Sequence, residues 1–161
     1  MSVRPIRPED VPAVVGLVRE LADYERALAE VRLTEEQLRT ALFGESPALF
    51  GHVAVTGDGE VVGMALWFLN FSTWRGTHGI YLEDLYVRPE QRGRGLGQQL
   101  LRTLAQECVR RGYSRLEWWV LDWNAPSIEF YKAAGAVPMD EWTVFRLTDD
   151  ALAAFAAPAG G

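Results

Sequence analysis

Cysteine occurs once in this chain, as Cys108, lysine once, as Lys132, and histidine twice, as His52 and His78. A single cysteine excludes a disulfide framework and a cysteine-based metal site. On the apolar face of a helix it reads as a small buried hydrophobe. The two histidines lie far apart in sequence, each inside a strand-like run, so they read as core or edge residues and no metal is expected. No apolar run approaches the length of a membrane span and the N-terminus carries no apolar signal segment, so the expected location is the cytoplasm, with no membrane partner. Positive charge is also scarce. The formal balance is −6, with arginine supplying nearly all the cations, and such a chain does not draw nucleic acid non-specifically. An acidic surface suits a cationic small molecule; it also serves plain solubility.

What is present suits one domain spanning 1–161, since 48% hydrophobic content over 161 residues allows a sizeable core. Residues 3–7 read as a strand that Pro5 confines to a sheet edge. Asp10 is placed to cap a helix with Pro12 in its first turn and an apolar stripe of Val14, Val15, Leu17, Val18 and Leu21. Thr34 and Gln37 form a capping-box pattern ahead of Leu38, Ala41 and Leu42. Strands at 49–55 and 61–69 flank the hairpin signal Thr56-Gly57-Asp58-Gly59, and a third runs over 79–87 to Pro89. The next helix gathers Leu96, Leu100, Leu101, Leu104, Ala105, Cys108 and Val109 on one face and ends at Gly112. A strand at 116–121, a short helix from Asn124 to a stop at Gly135, a last strand at 142–147 and an Ala-rich terminal helix complete the series. Residues 158–161 read as a frayed end. Hairpins first and a crossover helix later imply an α/β (α+β) fold with a mixed sheet and helices on both faces.

Between the third strand and its helix lies Arg92-Gly93-Arg94-Gly95-Leu96-Gly97. Backbone N–H groups of such a loop can converge on an anion with a helix dipole behind them. The third glycine follows the second too closely for a dinucleotide fingerprint, and no Lys-Ser or Lys-Thr pair follows as in an ATP-type phosphate loop. Composition alone also admits an Arg-Gly RNA-binding segment, although those are repeats and this is one copy pinned between strand and helix. A plain surface turn is the bland alternative, against which stands the entropic cost of three glycines.

The loop resembles the acetyl-CoA loop of the GNAT N-acetyltransferase superfamily. Leu82-Glu83-Asp84, the run Trp123-Asn124-x-Pro126-Ser127-Ile128-x-Phe130-Tyr131-Lys132, Glu20-Leu21-Ala22 with Tyr24-Glu25, and Trp74 resemble the branch that contains the spermidine/spermine (diamine) and thialysine acetyltransferases. The likeness runs over about 6–152. It implies a GNAT-like, mostly antiparallel twisted sheet, with the 79–87 strand splayed from the 116–121 strand to admit the pantetheine arm. Backbone of Leu85, Tyr86 and Val87 would pair with that arm as a pseudo-strand. Amides of Gly93, Arg94, Gly95, Leu96, Gly97 and Gln98 would receive the pyrophosphate, with charge from Arg92 and Arg94. Asn124, Ser127 and Lys132 would also hold the cofactor, while Asn124 and Ser127 read equally well as helix caps.

For chemistry the resemblance implies Glu83 as base through a water and Tyr131 as acid for the CoA thiolate. It assigns the small amine substrate to Tyr24, Glu25, Trp74, Glu83, Asp140 and Glu141, and implies a homodimer. Read from the residues alone, Glu83 and Asp84 alternate on one strand, so only one of them can face a given cleft, and Tyr131 could be an inner-face aromatic beside Phe130. The chain departs from the spermidine/spermine enzymes in a shorter link from Gly135 to Trp142 and a shorter first hairpin turn. Those departures leave the length and charge of the amine open; a thialysine-type substrate would need a cationic partner for its carboxylate, and none is assigned. A protein or antibiotic amine, or a non-catalytic acetyl-CoA-binding module, are the alternatives.

Overall fold

Residues 1–158 are described by the computed structural model. Pro5 sits as its missing N–H requires, on the edge strand β1 (Ser2–Pro5), which pairs antiparallel with β2 (Phe50–Val55). β2 returns antiparallel into β3 (Val61–Ser72) through the expected turn, where Gly59 adopts φ +84 and Thr56 N–H donates to the Glu60 carbonyl at 2.9 Å. β3 pairs antiparallel with β4 (Thr77–Val87). A crossover through α3 (Leu96–Arg111) then lays β5 (Leu116–Trp118) parallel to β4. The order β1-β2-β3-β4-β5 is the expected mixed, mostly antiparallel sheet of an α/β fold.

Helices cover both faces. On one side α1 (Val11–Tyr24) buries Val11, Val14 and Leu17 completely, and α2 (Glu35–Phe43) adds Leu38 and Leu42 to a cluster that includes Val53, Met64 and Leu66 of the sheet. Each such side chain contributes about 1.5–3 kcal/mol on leaving water. The capping box of α2 forms as read, Gln37 N–H donating to Thr34 Oγ1 and Thr34 N–H to Gln37 Oε1, both at 3.1 Å. On the other side α3 buries Leu96, Leu100, Leu104 and Cys108 in an i, i+4 row, with Leu101 beside it. Ala105 and Val109, expected on this face, are exposed, because they fall on the flank of that narrow row.

Three expectations are corrected. Asp10 does not cap α1: its carboxylate turns back to accept from Arg7 N–H at 2.8 Å and pairs with Arg4 at 2.7 Å. The strand expected at 116–121 stops at Trp118. The strand expected at 142–147 is absent; among the described residues nothing pairs with it, and a strand exists only through its partner.

The chain falls into two compact units, Met1–Asn124, described above, and the residues from Ala125 onward. The second contains α4 (Ala125–Ala133), which stops as expected at Gly135 (φ +96), a stretch over 137–148 with neither helix nor strand, and α5 (Asp149–Ala156). Past Pro158 the expected frayed end lies outside the described residues. Among the described residues no helix is long and apolar enough to cross a membrane.

Candidate active site

Register between β3 and β4 slips by one residue at the middle of the sheet. Leu66 faces Asp84 while the next residue, Trp67, faces Leu82, so Glu83 is the extra residue of a β-bulge. A bulge breaks the strict alternation of a strand and re-aims the side chains around it. The expectation that only one of Glu83 and Asp84 can face a given cleft is thereby overturned. Both line one pocket of about 320 Å³ inside the first unit, together with Glu25 and Glu30. Val18, Leu21, Val31 and Leu33 supply its apolar wall, and Arg32 is the cation that lines it.

The carboxylates differ in depth. Glu83 is exposed and Asp84 is half-buried. Burial pushes the Asp84 carboxyl up to about 7, and the charges of Glu83 and Glu25 push in the same direction. Burial also raises Glu25 above its ordinary range. Tyr81, on the same strand, is driven to about 12 by burial and then by Glu83, Asp84 and Glu117, so its phenol stays protonated at neutral pH. A carboxyl that titrates near neutrality inside a pocket is a group suited to exchange protons.

Next to this pocket the sheet is open along one edge. The parallel pairing of β4 with β5 covers Ile80, Tyr81 and Leu82, and ends at Trp118. β4 continues to Val87 and, among the described residues, no strand pairs with it on that side, which leaves backbone at Leu85, Tyr86 and Val87 available to an extended ligand. Arg92 Nε donates to the Val87 carbonyl at 2.9 Å, and its guanidinium lies 5.7 Å over the Tyr24 ring and 5.5 Å over Tyr86. Just beyond, Gly95 stands at the N-cap of α3 with φ +78 and no side chain caps the helix. The first N–H groups of α3, at Leu96, Gly97 and Gln98, are therefore available to an anion. A Cβ built on Gly95 meets no atom within 4 Å, so the space in front of it is open. The unpaired strand edge, the uncapped helix and this open space fit the pantetheine and pyrophosphate parts of acetyl-CoA.

Tyr24 is not among the residues lining the carboxylate pocket. Its hydroxyl donates to Asn124 Oδ1 at 3.3 Å, its ring lies 6.0 Å from Trp123, and Arg26 covers Trp123 at 4.3 Å. Tyr24 thus joins two residues expected at the cofactor, Arg92 and Asn124. Trp74 stands almost fully exposed on the β3–β4 turn, about 20 Å along β4 from Glu83 at about 3.3 Å per residue. In the second unit, α4 carries Ser127, Tyr131 and Lys132, with Tyr131 edge-on to Phe130 at 5.5 Å between ring centroids. Asp140 and Glu141 follow in the stretch without helix or strand and are exposed.

Sequence reasoning missed three charged residues of the pocket, Glu30, Arg32 and Asp84. Asp84 was legible as the alternating neighbour of Glu83, and alternation left the two open; the resemblance chose Glu83. Glu30 ends a single 3-10 turn, Leu28–Glu30, and Arg32 follows it, in a segment that carries no motif. Of the histidines, His52 is buried and its Nδ1 accepts from Trp67 Nε1 at 3.2 Å. Among the described residues no group of three or more His, Cys, Asp or Glu side chains is placed to hold a metal ion.

Comparison with known proteins adds the following. Residues 16–136 match the model of the acetyltransferase (GNAT) family. The chain is 38% identical to a thialysine N-epsilon-acetyltransferase of Bos taurus, over 94% of this chain and 95% of that one. It is 29% identical to an L-ornithine N5-acetyltransferase of Arabidopsis thaliana, over 94% and 86% respectively. A solved structure of an integron cassette protein from the mobile metagenome of V. cholerae superposes with a TM-score of 0.81 at 26% identity, covering 98% of both chains.

Proposed function

The chain belongs to the acetyltransferase (GNAT) family and is an acyltransferase enzyme, and from that premise we propose that it moves the acetyl group of acetyl-CoA onto the primary amine of a small cationic substrate, a diamine or polyamine or a thialysine-like amino acid. Residues 1–161 act in this reading as one N-acetyltransferase domain, working as a homodimer. The observation that carries it is the bulge at Glu83, which puts two carboxylates in one pocket beside the unpaired edge of β4.

A primary amine with an ordinary pKa of about 10.4 is uncharged in only roughly one molecule in 2,500 at neutral pH. The pocket answers that first by attraction: Glu25, Glu30, Glu83 and Asp84 favour an entering ammonium group. Glu83 then draws the proton through a water, and Asp84, already pushed up to about 7, is the adjacent carboxyl able to hold it. Bound acetyl-CoA supplies the activated thioester. Gly93 through Gln98 and the Leu85–Val87 backbone hold and orient it, Arg92 and Arg94 add positive charge beside the loop, and Asn124, Ser127 and Lys132 complete the cofactor set. Tyr131 keeps a phenolic proton for the departing thiolate.

The reading is tested by thiol release from acetyl-CoA against polyamines, thialysine, L-ornithine, lysine peptides and aminoglycosides. Turnover concentrated in the small amines is the expected result. Turnover confined to peptides or aminoglycosides, or tight CoA binding with no turnover at all, would overturn it.

A further inference from the structure

We infer that Arg32 is the specificity residue of this pocket, taking the carboxylate of a substrate whose other end presents the amine to Glu83 and Asp84; the site then selects an ω-amino acid over the corresponding plain diamine. The inference rests on the reading of the pocket as the amine site.

The charged side chains of the pocket differ in sign and in exposure. Asp84 is half-buried, whereas Glu30 and Arg32 are exposed. Val31, between them, lines the same pocket and has φ −74 and ψ 121 at the end of a single 3-10 turn, Leu28–Glu30. A lining that offers an exposed carboxylate and an exposed guanidinium complements a zwitterionic amino-acid head, α-ammonium to Glu30 and α-carboxylate to Arg32. Val18, Leu21, Val31 and Leu33 would line the methylene or thioether arm between the two ends.

Arg32 is also uncommitted. Arg4 pairs with Asp10, Arg88 with Glu20 and Glu60, and Arg110 and Arg111 with Glu107. Arg92 is held by the Val87 carbonyl. Among the described residues Arg32 has no ion pair, although Glu30 stands two positions away. Its planar fork matches a carboxylate with two parallel hydrogen bonds. Against a diamine it does the opposite, because a second ammonium group would meet a like charge in the pocket lining.

The test compares pairs that differ only in the carboxylate: thialysine with bis(2-aminoethyl) sulfide, and L-ornithine with 1,4-diaminobutane. Thiol release is measured for the wild type, Arg32→Ala and Arg32→Lys. Expected is a preference of tenfold or more in kcat/KM for each amino acid in the wild type, lost in Arg32→Ala through a raised KM with kcat within about twofold, and partly kept in Arg32→Lys. An unchanged ratio in Arg32→Ala overturns the inference. Should no amine be acetylated, calorimetric binding of the same pairs decides. A difference in affinity that disappears in Arg32→Ala supports Arg32 and leaves only the acetyl-transfer reading refuted, while equal affinities overturn Arg32.

Discussion

The Tyr24 hydroxyl donates to Asn124 Oδ1 at 3.3 Å, a bond between residues one hundred positions apart, and the Arg92 guanidinium lies 5.7 Å over the same tyrosine ring. One side chain thus braces two residues expected to hold the cofactor, and it stands outside the carboxylate pocket. Tyr24→Phe keeps the ring under Arg92 and removes the hydrogen bond, a loss of about 0.5–1.5 kcal/mol for a neutral pair. We expect KM for acetyl-CoA to rise roughly 2- to 10-fold, with KM for the amine unmoved. Initial rates with each substrate varied in turn distinguish this from direct contact with the amine, which would shift the second KM instead.

The loop at the start of α3 permits a matched pair of substitutions. Gly95 and Gly112 bracket the helix, with φ of +78 and +72, and a Cβ at either meets nothing within 4 Å. Alanine at each should therefore cost the same backbone strain, about 1–2 kcal/mol, and lower the melting temperature by a similar few degrees. Only at Gly95 would the added methyl stand where the pyrophosphate is to lie. The expected outcome is a KM for acetyl-CoA raised at least tenfold in Gly95→Ala and unaltered in Gly112→Ala. Equal KM values in the two variants would remove the pyrophosphate from this loop.

The stretch over 137–148 carries Trp142, Val144, Phe145 and Leu147, each at least half exposed and Phe145 93% exposed. So many large apolar side chains in one segment favour burial against another surface, and the homodimer proposed above supplies one. Sedimentation at micromolar concentration should give a dimer for the wild type and a monomer for Phe145→Glu. A wild type that sediments only as monomer rejects the proposal.

Much of the fold was legible because it rests on local chemistry. Pro5 at the edge strand, the Thr34–Gln37 box, the Thr56–Gly59 turn and the row from Leu96 to Cys108 each depend on a few neighbouring residues. What escaped depends on partners elsewhere. Asp10 has the chemistry of a helix cap, but Arg4 claims its carboxylate. The 142–147 segment has strand-like residues, but among the described residues it pairs with no strand. The bulge at Glu83 is a mismatch between two strands and is written in neither of them. The raised pKa of Asp84 sums burial with charges from Glu83 and from Glu25, which is remote in sequence.

Asp84 offers the sharpest test of the pocket, since function and stability should move in opposite directions. Its carboxyl titrates at about 7 when folded and near its ordinary 3.8 when unfolded. Between those values the folded chain holds a proton that the unfolded chain has released, so this group's contribution to stability falls as pH rises from about 4 and is lost above about 7. Burial, Glu83 and Glu25 oppose ionisation of Asp84, and Glu30 and Arg32 line the same pocket. Asp84→Asn removes the charge, and should raise stability at pH 8 by on the order of 1–3 kcal/mol, with the gain shrinking toward pH 4. The same variant should lose roughly 10- to 100-fold in kcat, together with the fall of wild-type kcat/KM below pH 7. Thermal melts across pH and a pH–rate profile check both halves. If Asp84→Asn is no more stable than the wild type at pH 8 and keeps the same acidic limb, the carboxyl is neither strained by burial nor engaged with the substrate's proton.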